Sequence, residues 1–159
     1  MSRALNERLR ERFDALRREY PPEMKTSLVL PLLHCVQEEN GYVTEDDAAA
    51  IAEYVGMPAI RVVEALTWYS MFERAPQGRY VIKVCRNIAC SLRGSEALIE
   101  HLQRRLGIQV GETTADRRYT LRTVECLASC GTAPAMQINR TYHERLTAAA
   151  LDRILEELP

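Results

Sequence analysis

Four of the five cysteines in this sequence form two closely spaced pairs. Cys85 and Cys90 are separated by four residues, and Cys126 and Cys130 by three. Thiolates are soft ligands that select zinc, copper(I) or iron-sulfur clusters. This spacing suits a structural zinc site, and it suits equally a two-iron centre in which each iron takes one pair. A dithiol redox couple is a third interpretation, so the ligand type predicts a class of centre and leaves its identity open.

Small residues follow the second cysteine of each pair. Gly94 and Gly131 lie just beyond Cys90 and Cys130, and we expect their backbone amides to approach sulfur and donate hydrogen bonds. Pro134 presets its own φ, which suits rigid placement of ligands in the second loop. Neither loop contains a histidine, which argues against a Rieske-type site. These features favour an iron-sulfur cluster over zinc.

Each cysteine pair is predicted to lie in the loop that follows a β-strand. Alternating apolar residues run straight into Cys85, and a second such segment ends at Cys126. In chain order, strands are predicted at 80–84, 119–125, 135–139 and 142–146. Helices are predicted between Ser95 and Gly107 and after Thr147, because each begins at a capping residue. This order indicates a mixed sheet with helices packed on it, as in thioredoxin-like folds.

The chain up to about Phe72 has the three- and four-residue apolar spacing of amphipathic helices. The apolar stripe of the first predicted helix consists of Leu5, Leu9, Phe13 and Leu16. Three more helices are predicted over 23–37, after Thr44 up to Gly56, and over 59–68, and Pro31 implies a kink or a late start in the first of these. The segment 75–78 breaks the pattern. The predicted class is α+β, with a helical bundle over 1–75 and an α/β domain over 76–159.

The overall composition describes a soluble globular protein. Of 159 residues, 47% are apolar and 27% charged, with a formal net charge of -1, which gives no sign of a polyanion-binding surface. No apolar run reaches the length of a membrane span, and the start lacks the apolar core of a signal peptide. We therefore expect a cytoplasmic protein, in which cysteines are ligands or redox groups rather than disulfides.

No catalytic residue is predicted. The sequence has neither a G-x-G-x-x-G turn after a strand nor a G-x-x-x-x-G-K-[ST] loop, so we expect no NADH, flavin or ATP site on this chain. Cys35 lies on the apolar stripe of a predicted helix and is interpreted as a buried, inert thiol. The remaining candidates are interpreted as structural residues: surface or partly buried histidines at His34, His101 and His143, and core or packing aromatics at Trp68, Tyr69 and Phe72.

The cysteine loops resemble a known family. The segments CRNIACSLRG from Cys85 and ECLASCGTAPAMQIN from Glu125 are similar to the thioredoxin-like [2Fe-2S] subunit of NADH-quinone oxidoreductase, the E-type subunit of bacteria. The segments LPLLHCVQEENGYV and WYSMF in the first half are similar to the amino-terminal helical segment of that family. The resemblance covers roughly residues 25–159.

This resemblance implies that Cys85, Cys90, Cys126 and Cys130 bind one [2Fe-2S] cluster, one pair per iron. It also implies docking on a flavin-containing NADH-binding subunit, with FMN and NADH on that partner, and a peripheral position at the cytoplasmic face of the inner membrane in the respiratory complex. The same module occurs in NAD-linked soluble hydrogenases and formate dehydrogenases. A zinc-stabilised binding module is the alternative from another functional class.

Two residues depart from the family pattern. Arg86 stands where the family often has a small hydroxyl residue, and Ala128 where glycine is frequent. A guanidinium beside a cluster that gains negative charge is expected to favour reduction by about 1 to 3 kcal/mol. Replacing Arg86 by threonine is therefore expected to lower the midpoint potential.

Overall fold

The computed structural model describes residues 6–159. The chain divides into two compact units, one that ends at Pro76 and one that begins at Gln77. Within the described residues, the first unit is helical and the second contains a four-stranded mixed sheet with helices. The predicted α+β class is confirmed. No helix in this part of the chain is long and apolar enough to cross a membrane.

The first unit consists of four α-helices and one 3₁₀ helix over the described residues. In chain order they are α1 (Glu7–Arg18), the 3₁₀ helix Pro22–Leu28, α2 (Val29–Asn40), α3 (Glu45–Val55) and α4 (Ala59–Trp68). Helix α3 begins with the predicted capping box: the Thr44 side chain accepts from the Asp47 amide, and the Asp47 carboxylate accepts from the Thr44 amide at 2.8 Å. It ends at Gly56, whose φ is +76°. The bounds predicted for α4 are confirmed.

The second predicted helix begins later than its first apolar residues suggest. Residues Pro22–Leu28 form the 3₁₀ helix, and α2 starts only at Val29. Pro31 therefore lies in the first turn of α2, where a missing amide hydrogen breaks no hydrogen bond. The predicted late start of this helix, caused by Pro31, is therefore confirmed. Leu5, the first member of the α1 stripe, lies outside the described residues.

The helical core contains Leu9 and Phe13 of the predicted α1 stripe, and Leu16 packs against it partly buried. Leu9, Phe13, Leu32 and Ile51 are fully buried, as is much of the rest of this cluster. Phe72 belongs to the core, whereas Trp68 is 83% exposed and Tyr69 is also exposed, so the prediction of a packing role is wrong for these two. Cys35 is buried as predicted, and burial raises the pKa of its thiol.

The second unit is built around one mixed sheet. Its strands are β1 (Tyr80–Cys85), β2 (Tyr119–Val124), β3 (Met136–Ile138) and β4 (Thr141–His143), in the order β2-β1-β3-β4. Strands β1 and β2 are parallel, while β3 is antiparallel to both β1 and β4. The helices are α5 (Ile88–Leu92), α6 (Ser95–Leu106) and α7 (Ala148–Glu157). The predicted mixed sheet with packed helices, consistent with a thioredoxin-like fold, is confirmed.

Alternation along β1 anchors this sheet to its helices. Tyr80, Ile82 and Val84 are buried, and they belong to one core cluster with Leu102 of α6 and Leu151 of α7. Because side chains on a strand alternate between faces, every second residue of β1 contributes to the same cluster. The sheet is therefore fixed by burial as well as by its hydrogen bonds.

Local capping agrees with the sequence at α7 and differs at α6. The Thr147 hydroxyl accepts from the Ala150 amide at 3.1 Å, as expected of an N-cap. At α6 the cap is Gly94, with φ +89°, and Ser95 is the first helical residue. The Gly94 amide donates to the Ser91 carbonyl at 2.9 Å. The prediction that it donates to sulfur is wrong, because it closes the preceding helix.

The loop after β2 contains an alanine in the left-handed region of backbone space. Ala128 has φ +57°, a conformation in which a Cβ atom crowds the following carbonyl oxygen. Glycine carries no such penalty. Glycine would therefore fit this backbone conformation better than alanine does.

Replacing Ala128 by glycine is expected to stabilise the second unit. Relief of the left-handed penalty, about 1 to 2 kcal/mol, exceeds the added unfolded-state entropy of about 0.4 to 1 kcal/mol. We expect urea denaturation to show a gain of about 0.5 to 1 kcal/mol in the free energy of unfolding. Ala133→Gly is the matched control, because Ala133 has an ordinary φ of -59°, and it should destabilise the chain. A loss of stability in both variants would contradict the assignment of strain to Ala128.

Candidate metal centre

The parallel pairing of β1 and β2 brings the two cysteine segments to one edge of the sheet. Cys85, the last residue of β1, is paired in register with Val124, the last residue of β2. Cys126 follows two residues after Val124. Since parallel strands end at the same edge, both segments leave the sheet side by side.

The first pair spans a strand end and a short helix. Asn87 turns the chain into α5, with its side-chain oxygen accepting from the Ile88 amide at 2.8 Å. Cys90 therefore lies in a helix and not in the loop predicted from the sequence. Cys85 and Cys90 are 3% and 2% exposed, and Cys85 is near enough to Cys90 to raise the pKa of its thiol. The structure brings this pair together in a buried position.

The second pair is exposed to solvent. Cys130 starts a single 3₁₀ turn, Cys130–Thr132, and is close enough to Cys90 to interact with it electrostatically. The Cys126 sulfur accepts a hydrogen bond from the Ala128 amide at 3.2 Å. It forms no hydrogen bond with another cysteine in the described chain. Three of the four predicted ligands are thus electrostatic neighbours, and the fourth is held within its own loop.

Backbone amides contact two of these sulfur atoms. Besides the contact from Ala128 to Cys126, the backbone of Ala135 hydrogen-bonds to the Cys90 sulfur. The Ala135 carbonyl also accepts from the Cys85 amide at 3.1 Å, so this residue connects with both members of the first pair. The sequence predicts glycines in this role and does not predict either alanine. The only signal available was their small size next to the cysteines.

The pKa of the Cys90 thiol is affected by its burial and by two neighbouring cysteines. Burial raises the pKa of the Cys90 thiol, and the adjacent Cys85 and Cys130 raise it further, while the backbone hydrogen bond from Ala135 opposes the change. Loss of protons from neighbouring thiols requires a compensating positive charge, which a bound metal supplies. The buried pair Cys85 and Cys90 therefore offers the two thiolates that one iron of a two-iron cluster needs.

A salt bridge connects the two cysteine segments. The Arg86 Nε atom donates to Oε1 of Glu125 at 2.8 Å, and a second guanidinium nitrogen contacts the same oxygen. Arg86 follows Cys85 and Glu125 precedes Cys126. Both side chains are exposed, so the pair contributes little to stability. It does place one positive and one negative charge next to the site, and sequence analysis missed Glu125.

Within the described residues, none of the three histidines hydrogen-bonds to a cysteine of the candidate metal centre. His101 contacts Asp152 at 2.9 Å, His34 packs near the Phe72 ring, and burial lowers the pKa of half-buried His143. Across residues 6–159, no three histidine, cysteine, aspartate or glutamate side chains converge as ligands of a single metal ion.

The chain is similar to proteins of two kinds. It is 41% identical to the NADH-quinone oxidoreductase E-type subunit 2 of Rhizobium meliloti, over 93% of this chain and 87% of that one. It is 40% identical to the NADH-quinone oxidoreductase E-type subunit of Rickettsia typhi, over 88% and 83%. The structure resembles a chain of an NAD+-reducing [NiFe]-hydrogenase, in the air-oxidized state, with a TM-score of 0.69 and 27% identity. That match covers 82% of this chain and 22% of the hydrogenase chain.

Residues 13–159 match the thioredoxin-like [2Fe-2S] ferredoxin family. The match takes in both cysteine segments and nearly all of the helical unit. The resemblance inferred from the sequence is confirmed by this match and by the two NADH-quinone oxidoreductase relatives. The chain belongs to the thioredoxin-like [2Fe-2S] ferredoxin family.

Proposed function

We propose that Cys85, Cys90, Cys126 and Cys130 hold one [2Fe-2S] cluster and that the chain is an electron-transfer subunit of an NADH-quinone oxidoreductase. The observation that carries this proposal is the parallel register of β1 and β2. Both strands end at the same edge of the sheet, and both cysteine segments continue from that edge. Names of relatives about 40% identical over most of their length support the parent complex. The cluster, when bound, supplies a centre that accepts and releases single electrons.

The side chains and backbone of this protein have distinct tasks in that function. The buried pair Cys85 and Cys90 offers thiolates held on a strand end and a helix. The amides of Ala128 and Ala135 donate to sulfur, which favours a more negative centre because the hydrogen bonds stabilise charge on the ligands. The sequence offers no group suited to hydride chemistry, so that step belongs to a partner.

The proposed partner is a flavin-containing NADH-binding subunit, with FMN and NADH bound there and not on this chain. The exposed pair, Cys126 and Cys130, is the side of the site from which an electron can leave or enter. In this arrangement the chain is a non-catalytic subunit, peripheral to the membrane on its cytoplasmic side.

A second candidate is the corresponding subunit of a NAD-linked hydrogenase. It is favoured by the fold similarity to the NAD+-reducing [NiFe]-hydrogenase chain. Isolation of the native complex distinguishes the two, because a respiratory complex reduces quinone with NADH whereas the hydrogenase couples NAD+ to hydrogen. The cluster assignment is shared by both candidates.

The cluster assignment predicts a specific metal content. Anaerobically isolated protein should contain iron and acid-labile sulfide in equal amounts, about two of each per chain. It should be red-brown and give an EPR signal on reduction. Serine at any of the four cysteine positions should lower cluster content severely, whereas Cys35→Ala, in the helical unit, should retain it. Zinc without sulfide in the native protein would overturn the assignment in favour of a zinc-stabilised module.

The salt bridge at the site predicts opposite shifts of the midpoint potential. Arg86→Thr leaves the Glu125 charge uncompensated and should lower the potential by about 20 to 40 mV. This is less than the sequence-based expectation, because both side chains are exposed and screened. Glu125→Gln should raise it by a similar amount. Arg104→Gln, on the exposed face of α6, is the control and should leave it unchanged. EPR redox titration measures these values, and shifts of the same sign in both site variants would contradict a charge effect.

A further inference from the structure

A polar cavity of about 450 Å³ adjoins Cys130. Its wall includes Arg93 at the end of α5, the segment from Cys130 to Pro134, and Arg145 in the connection between β4 and α7. Arg93 follows the first cysteine pair closely, and Cys130 belongs to the second. A ligand in this cavity would therefore touch segments from both halves of the candidate metal centre.

The backbones of both arginines are fixed to the structures around the cavity. The Arg93 amide donates to the Cys90 carbonyl at 3.1 Å, which ends α5. The Arg145 amide donates to the Thr132 carbonyl at 2.8 Å, and the Leu146 amide to the Pro134 carbonyl at 3.1 Å. Arg145 has φ +50°, a strained conformation for a residue with a side chain. These hydrogen bonds hold the backbones of both arginines beside the cavity that their residues line.

The charge around the cavity is predominantly positive. In residues 6–159, neither Arg93 nor Arg145 is within salt-bridge distance of a carboxylate. Glu144 interacts electrostatically with Arg145 and offsets part of its charge. The Glu144 carboxylate also accepts a hydrogen bond from the Thr132 hydroxyl at 2.6 Å. Among the residues that the structure describes, no acidic one lines the cavity.

Guanidinium groups have a fork of donors whose geometry matches the paired oxygens of carboxylates and phosphates. We propose that the cavity between Arg93 and Arg145 is a binding site for an oxyanion of the carboxylate or phosphate class. The volume admits the stem that carries such a group as well as the group itself. The two proposed anion-binding residues, Arg93 and Arg145, are not among the proposed cluster ligands, although Cys130 also lines the cavity.

The test is a titration of the full-length, isotope-labelled chain with inorganic phosphate and, separately, with acetate. Amide NMR shifts of Arg93, Thr132 and Arg145 report binding at constant ionic strength, which keeps general screening unchanged. We expect saturable shifts with an apparent Kd in the millimolar range or tighter. Arg93→Gln and Arg145→Gln should each weaken binding about tenfold. Arg104→Gln removes a charge elsewhere on the same unit and should bind like the parent chain.

The two titrations separate the sources of the anion. Preference for phosphate supports a free phosphate or phosphorylated ligand, and comparable binding of acetate supports a carboxylate side chain of a partner protein. Arg93→Lys keeps the charge and loses the donor fork, so it should retain part of the affinity. Circular dichroism confirms that each variant is folded. Absence of saturable shifts with both anions, or equal affinity in parent and glutamine variants, would overturn the proposal, whatever the iron content.

Discussion

The parallel ladder between β1 and β2 is the constraint on which the candidate metal centre depends. Six consecutive residue pairs join the strands, and the last aligns Cys85 with Val124. A slip of one residue would turn every side chain of a strand to the opposite face. The burial of Ile82 and Leu121 in the common core opposes such a slip. Core packing therefore sets the position of the cysteine segments along the edge.

Parallel strands require a long crossover, and here the crossover carries part of the site. A chain that returns parallel to β1 must first travel back along the sheet, which α6 does between Ser95 and Leu106. Helix α5 occupies the beginning of that path and positions Cys90 against Cys85. The connection that the topology demands thus also contains the second cysteine of the buried pair.

The sequence predicts most elements here because their signals are local. Thr44 and Gly56 define α3 by hydrogen bonds and backbone conformation within a few residues. Helix α5 was missed because it is five residues long and its large apolar residues, Ile88 and Leu92, are exposed, which removes the usual periodicity. The sequence also does not reveal that Trp68 is exposed, because a large aromatic residue on a helix is ordinarily expected to pack.

Contacts across the chain are the part that sequence reasoning could not supply. The four cysteines were identified from their type and spacing, whereas the donors to sulfur were not. Ala135 reaches Cys90 only because β3 lies antiparallel to β1 and begins beside Cys85. The residues around Ala135 in the sequence do not predict this contact. The register between β1 and β3 determines it.

The distribution of charge then gives this edge of the sheet a consistent electrostatic character. Sulfur atoms that lose protons in a poorly hydrated place need nearby positive charge or aligned dipoles. Arg86 is balanced by Glu125 and Arg145 partly by Glu144, whereas Arg93 has no carboxylate within salt-bridge distance in the described chain. Arg93, which follows the last residue of α5, is therefore the least compensated of these three arginines. The short helix α5 thus carries the buried Cys90 thiol and ends at an arginine that lines the cavity beside Cys130.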